Sequence, residues 1–123
     1  MRINKTEIPV VMAVPGATAR QLRFGGDMAA EYFSLGAGTD IAPLLQGLEH
    51  DACQSPHWGY VLAGELVVTY TDGTTDRCTT GDCFHWPAGH SVRVEQDAEV
   101  ILFSPHDEHA AVIDHMKAKL ATL

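Results

Sequence analysis

The sequence is poor in basic residues and has no long apolar segment, and each absence excludes a class of function. Only eight of its 123 residues are Lys or Arg, against sixteen Asp or Glu, which gives a formal net charge of −8. Such an acidic surface repels phosphate backbones and anionic lipids, so we expect no nucleic-acid partner and no membrane partner. The longest apolar run, Ile8–Val14, is too short to cross a bilayer and lacks the flanking pattern of a signal peptide.

Cysteine is also scarce. The three cysteines form an odd set without the spacing of a disulfide framework, which is typical of a reducing compartment. We therefore expect a cytoplasmic protein. Repeats, linkers and low-complexity tracts are absent, and the length suits one domain over residues 1–123.

The chain does contain many short apolar segments separated by Gly, Pro and Asp. Asp72-Gly73 lies between two such segments and predicts a hairpin, because this pair accepts positive φ. Ala63-Gly64 predicts a second hairpin between His57–Leu62 and Glu65–Tyr70. About eight to ten short strands at this spacing predict an all-β domain, either a closed antiparallel barrel or a sandwich.

The C-terminal segment has a different periodicity. Ser104 suits a helix N-cap with Pro105 at the first helical position. One apolar stripe then follows at helical spacing, made by Val112, Ile113, Met116 and Leu120. We expect an α-helix over about residues 104–120, lying across one end or edge of the β domain.

Two segments, Cys53–Glu65 and Gly81–His90, contain half of the His and Cys side chains, the soft donors suited to binding a metal. Gly81, Pro87 and Gly89 have the spacing Gly-x5-Pro-x-Gly, and Gly64 ends the first segment. These features resemble the two signature motifs of the cupin superfamily, and in particular a branch of short, functionally uncharacterised bacterial cupins. The resemblance extends over about residues 20–104. It implies a cupin-type double-stranded β-helix, an antiparallel β-barrel that usually holds a metal ion among histidines.

The resemblance also implies a set of metal ligands. Counting back from Gly64 places His57 at the family's glutamate, Cys53 at its second histidine and Asp51 at its first. The histidine of the second motif falls at Val92, and His90 lies two residues earlier, on the same face of a strand. Residues 51, 53 and 57 share parity, so one extended strand would point them the same way. The implied site is Asp51, Cys53, His57 and His90, with Asp51 either a ligand or an outer hydrogen-bond acceptor.

Sulfur, nitrogen and oxygen donors together favour zinc, with iron(II) next. The remaining histidines and cysteines are expected to have other roles. His85 should point outward, and His50 is a reserve ligand candidate. We expect solvated surface positions for His106, His109 and His115, and structural roles for Cys78 and Cys83.

Three functions remain open at this point. The protein could be an enzyme acting on a small organic substrate, a module that binds a metal or small ligand without turnover, or a structural dimer with a solidly packed barrel. Fold-level resemblance does not select a reaction, so no catalytic residue is assigned. The apolar strand 8–14 favours a homodimer in which it crosses to the partner sheet. The alternative is that this strand pairs within its own barrel.

Overall fold

The structure, a computed structural model, describes all residues 1–123. Seven β-strands and two α-helices make up the domain. The strands are β1 (Val10–Val14), β2 (Ala17–Arg23), β3 (Met28–Leu35), β4 (His57–Tyr70), β5 (Thr75–Thr79), β6 (Cys83–Trp86) and β7 (His90–Pro105), and the helices are α1 (Ala42–Leu45) and α2 (His106–Leu120). Single 3-10 turns occupy Lys5–Glu7 and Glu49–Asp51.

All strand pairs are antiparallel, and the sheet order is β1-β2-β3-β7-β4-β5, with β6 also pairing to β4. The sheet curls around one core but is not closed by hydrogen bonds between its outermost strands. The predicted all-β antiparallel domain with a C-terminal helix is thus confirmed.

The two longest strands, β4 and β7, connect the two ends of the curled sheet. The pairing between them shifts register between Val61 and Leu66, around Gly64. Gly64 has φ +93°, and a Cβ atom there would lie 2.1 Å from the carbonyl oxygen of Asp97. Only glycine therefore fits this bulge. The predicted hairpin at Ala63-Gly64 is wrong, because the chain continues through the bulge as one strand. The hairpin at Asp72-Gly73 is confirmed.

The core fills the concave side of the sheet. It includes Leu66, Val100 and Leu102, each at most 1% exposed, and Trp86 at 3%. Alternate residues of β4 and β7 point inward, so their apolar side chains meet across the interior.

Helix α2 packs across the open end of this interior. Its buried residues are His109, Val112, Ile113 and Met116, spaced one helical turn apart along a single face. The helix begins at His106, and Ser104 does not cap it; Ser104 is fully buried at the end of β7. Neither helix has the length and apolarity needed to span a membrane.

Strand β1 pairs with β2 of the same chain, with Ala13 opposite Thr18 and Val14 opposite Ala17. This arrangement corresponds to the intramolecular alternative for the N-terminal strand rather than to an exchange with a partner. The other edge of β1 has no strand beside it.

Candidate metal centre

Backbone pairing brings the two sequence motifs together. The amide of Cys53 donates to the carbonyl of His90 at 2.8 Å, and the amide of Gly89 donates to the carbonyl of Cys53 at 2.7 Å. His57 begins β4 and lies opposite Trp86 of β6. The Pro87-x-Gly89 turn, in which Gly89 has φ +91°, thus sets His90 beside Cys53 and His57.

One potential ligand atom from each of Cys53, His57 and His109 lies within 4.8 Å of the other two. The sulfur of Cys53 is 3.6 Å from Nε2 of His57. The His57 ring centroid is 4.3 Å from that of His109 and 4.9 Å from that of His90. All four side chains are buried, at 1 to 4% exposure.

Each of the three imidazoles is held through Nδ1 by an oxygen atom. Nδ1–H of His90 donates to the carbonyl of Pro87 at 2.8 Å. Nδ1–H of His57 donates at 2.6 Å to the hydroxyl of Ser104, which itself donates to Glu31. Nδ1–H of His109 donates directly to Glu31. In each ring Nε2 is then the nitrogen left to bind a metal, and in His57 it faces the Cys53 thiol.

Glu31 organises this arrangement from the centre of β3. Its carboxylate is fully buried and accepts hydrogen bonds from His109, from Ser104 and, at 2.9 Å, from the side-chain amide of Gln21. Glu31 lies opposite Gln21 on β2 and opposite Leu102 on β7. A buried carboxylate requires such hydrogen-bond partners. Here one partner is the imidazole of His109, and another is the hydroxyl of Ser104, which in turn accepts from His57.

Burial favours the neutral forms of Cys53, His57 and His90 in the metal-free protein. It raises the pKa of Cys53 to about 12, with a smaller contribution from the charge of Glu31. It lowers the pKa of His90 to about 4. The pKa of His57 is held well below its ordinary value by burial and by the neighbouring His109 and His90 rings. Neutral imidazoles are ready to ligate, whereas the thiol must release its proton to a bound metal.

The donors line a largely enclosed cavity of about 70 Å³. Its remaining walls are apolar and come from the sheet, from α1 and from one face of α2. Soft sulfur and nitrogen donors that converge in such a cavity suit a divalent transition metal.

The structure brings together three of the four residues in the set from sequence, Cys53, His57 and His90, and separates the fourth. Asp51 is exposed in a 3-10 turn with φ +52°, and its carboxylate accepts a hydrogen bond from the amide of Gly47 at 3.0 Å. The parity argument does not extend to Asp51, because the chain turns at residues 49–51 instead of continuing as a strand. His50, the reserve candidate, is exposed in the same turn.

The expectation of a solvated surface position is wrong for His109. This residue is 4% exposed on the inner face of α2, where Glu31 and the apolar cavity walls surround it. His106 and His115 are only partly exposed. His85 points outward as expected and stacks on Trp58 at 4.8 Å. Cys78 is buried in the core and Cys83 is exposed.

Two signals in the sequence could have identified the missed residues. His109 lies three residues before Val112 and four before Ile113, so it extends the apolar stripe of α2 by one turn toward the N-terminus. Glu31 is the only charged residue in β3, an otherwise apolar or neutral strand. A charge in a strand of this kind indicates a buried partner.

Comparison with known proteins assigns the fold. No protein-family model matches the chain, and no curated protein matches it significantly. Among solved structures, an RmlC-like cupin from Shewanella frigidimarina is 23% identical over 84% of this chain and 88% of its own, with a TM-score of 0.60. Ectoine synthase from P. lautus is 15% identical over 86% and 78%, with a TM-score of 0.61. KdgF from Halomonas sp. is 23% identical over 83% and 90%, with a TM-score of 0.56. The chain has the cupin fold.

Proposed function

We propose that this cupin-fold protein binds a divalent metal ion inside its β domain, with zinc preferred and iron(II) next. The donors are Cys53, His57 and His109, and His90, whose ring centroid is 4.9 Å from that of His57, is a candidate fourth donor or a contact for a molecule bound beside them. The observation that carries the proposal is the convergence of one ligand atom from each of Cys53, His57 and His109 within 4.8 Å of the other two, with both imidazoles anchored through Nδ1. A bound metal would supply Lewis-acid chemistry at this position.

The donor count separates the two functional alternatives. Three protein donors leave a coordination position free for a small organic ligand or substrate, as catalytic zinc sites do. Four donors, with His90 included, complete a tetrahedron and favour a binding or structural role. No titratable side chain other than the four donors lines the cavity, so no reaction is assigned.

Metal analysis of protein purified without added metal tests the proposal. We expect about one zinc or iron ion per chain by analogy with other closed sulfur and nitrogen sites. His57→Ala and His109→Ala should each lose the metal, because a missing ligand removes a large share of the binding free energy.

Two control variants sharpen this test. Asp51→Ala removes the exposed carboxylate and should keep the metal, as should His106→Ala at the start of the same helix as His109. Stoichiometric metal in His57→Ala would refute the site. If His109→Ala keeps the metal and Asp51→Ala loses it, the ligand set implied by the sequence resemblance is correct instead.

We also retain two broader expectations as proposals, a cytoplasmic location and a homodimer. The free edge of β1 supports the dimer, because unpaired backbone groups on an apolar edge strand tend to pair with another chain. The exchange of this strand between partners is not needed for that contact, since β1 already pairs with β2 of its own chain.

A further inference from the structure

The cavity beside the proposed metal donors has almost entirely apolar walls. Apart from Cys53, His57, His90 and His109, every lining residue is aliphatic or aromatic, and the indole N–H of Trp86 is the one further polar group among them. Leu66, Val100 and Leu102 of the sheet face Val112 and Met116 of α2 across it. Besides the four donors, only the indole of Trp86 carries a hydrogen-bonding group, its Nε1–H, which has no partner in the protein, so most atoms of a ligand must tolerate an apolar environment.

The cavity also has no cationic wall. All eight Lys and Arg residues lie outside it, and most pair with surface carboxylates, as Arg23 does with Asp107 and Arg77 with Glu65. The nearest buried charge is the carboxylate of Glu31, behind His57 and His109. A divalent ion would be balanced by this carboxylate and by the thiolate of Cys53. An anionic ligand would add an uncompensated buried negative charge, which is costly.

A second cavity of about 70 Å³ adjoins the first and lies toward the surface. The two share Met12, Ala19 and Met116 among their lining residues. The outer cavity is bounded by β1, by Leu44 of α1 and by Leu120 near the end of α2. Its walls are mostly apolar, and the charged residue among them is acidic, Asp40. Flexible methionine side chains at the boundary let a small molecule pass with little rearrangement.

From these features we infer that the site takes a small, uncharged and largely apolar molecule, which enters between β1 and α2 and reaches the donors through the outer cavity. The part of this inference that concerns the metal rests on the proposed function, whereas the part that concerns the apolar cavity does not. An apolar cavity of about 150 Å³ holds benzene, so the inner cavity of about 70 Å³ has room for about three non-hydrogen atoms, and the adjoining outer cavity for about as many. Carboxylates, phosphates and larger polar metabolites are excluded by charge and by size.

Xenon binding tests the cavity independently of the metal. Xenon enters dry apolar cavities and makes no use of metal coordination. In metal-free protein with ¹³C-labelled methyl groups, xenon under pressure should shift the resonances of Val100, Leu102 and Val112. Unchanged methyl resonances would overturn the inference, because they would mean that the cavity is closed or filled.

Acetamide and acetate test the selectivity for charge, because they have the same shape and differ in charge. In the cobalt-loaded protein, acetamide should perturb the methyl resonances at a concentration at least tenfold lower than acetate does. Equal or stronger binding of acetate would overturn the inference. Failure to load cobalt, with xenon still bound, would instead refute the proposed metal site and leave the apolar cavity intact.

A cavity-filling variant links both results to this location. Ala19, which lines both cavities, is 4% exposed, and Ala19→Leu should abolish the responses to xenon and acetamide without changing the metal content. Ala111→Leu, on the exposed face of α2, should leave both responses intact. If Ala19→Leu does not fold, Val100→Ile adds one methylene group to the same cavity and should weaken both responses. Undiminished responses in the folded filling variant would overturn the assignment to this cavity.

Discussion

Glu31 is the residue that fixes the orientation of two proposed metal donors without touching the metal. It binds His109 directly and His57 through Ser104, so replacing it should disturb two imidazoles at once. We expect Glu31→Gln to lower zinc affinity by about 10- to 100-fold, the usual effect of removing an outer hydrogen-bond partner. Competition with a chromophoric chelator measures this change.

A surface variant separates positioning from a general loss of charge. Glu95 pairs with Arg93 on the outside of β7, and Glu95→Gln removes the same charge without reaching the donors. Its zinc affinity should equal that of the unmodified protein. The positioning role is refuted if Glu31→Gln binds zinc with unchanged affinity while its circular-dichroism spectrum remains native.

The three cysteines should differ strongly in reactivity. Cys83 is exposed, whereas Cys53 is 2% and Cys78 6% exposed. The thiolate is the reactive form, and a pKa of about 12 for Cys53 leaves almost none of it at pH 8. In chelator-treated native protein, one thiol should therefore react rapidly with Ellman's reagent at pH 8, and Cys83→Ser should remove that reaction. Rapid labelling of Cys53 would show that the site is open to solvent.

Local spacing predicted only part of this site. The Pro87-x-Gly89 turn and the position of His57 relative to Gly64 are short-range features, and they located Cys53, His57 and His90. The contact between His109 and Glu31 joins residues 78 positions apart. Their proximity depends on how α2 packs against β3, which is a tertiary property that no local motif encodes. Asp51 lies apart from the other three for the opposite reason, because a local turn at residues 49–51 replaces the strand that the parity argument assumed.

At the scale of secondary structure, α2 is the element that encloses the site. Ile113 is 3% exposed, lines the inner cavity and lies one turn beyond His109. We expect Ile113→Ala to lower the free energy of unfolding by about 2 to 5 kcal/mol, because it removes buried methyl groups and enlarges the cavity. Urea denaturation measures the change. Asp114→Ala, on the exposed side of the same turn, should change stability by less than about 0.5 kcal/mol.

The element boundaries show where sequence reasoning succeeds and where it fails. The α2 stripe and the Asp72-Gly73 turn were predicted because both depend on neighbouring residues. The number of strands was overestimated because glycine at a bulge and glycine at a hairpin have the same signature in sequence. Gly64 meets the carbonyl of Asp97 only after β4 has paired with β7, so the bulge is decided by tertiary contact. Ser104 likewise stands where the sequence predicts a helix N-cap, but its hydroxyl forms hydrogen bonds with His57 and Glu31 instead.

At the scale of the whole molecule, two apolar surfaces are uncovered. One is the outer face of β4 and β7, where Trp58 lies opposite Phe103, and these residues are 45% and 44% exposed. The other is the free edge of β1, whose sequence Val10–Val14 contains no charged residue. Protein sheets usually protect such edges with charge, so the edge of β1 is the stronger candidate for pairing with a second copy.

We therefore expect light scattering to find a dimer at tens of micromolar, with β1 at its two-fold axis, since an isologous contact of this kind is the commonest closed symmetry. Val14, 38% exposed near the end of β1, allows a selective test. Val14→Lys adds a charge to the edge and should give a folded monomer, whereas Trp58→Ser should leave the dimer intact. Deleting residues 1–14 should likewise abolish association or cause aggregation, because it exposes β2 as a new edge. A monomeric full-length protein would refute the dimer, and dissociation by Trp58→Ser alone would move the interface to the aromatic face.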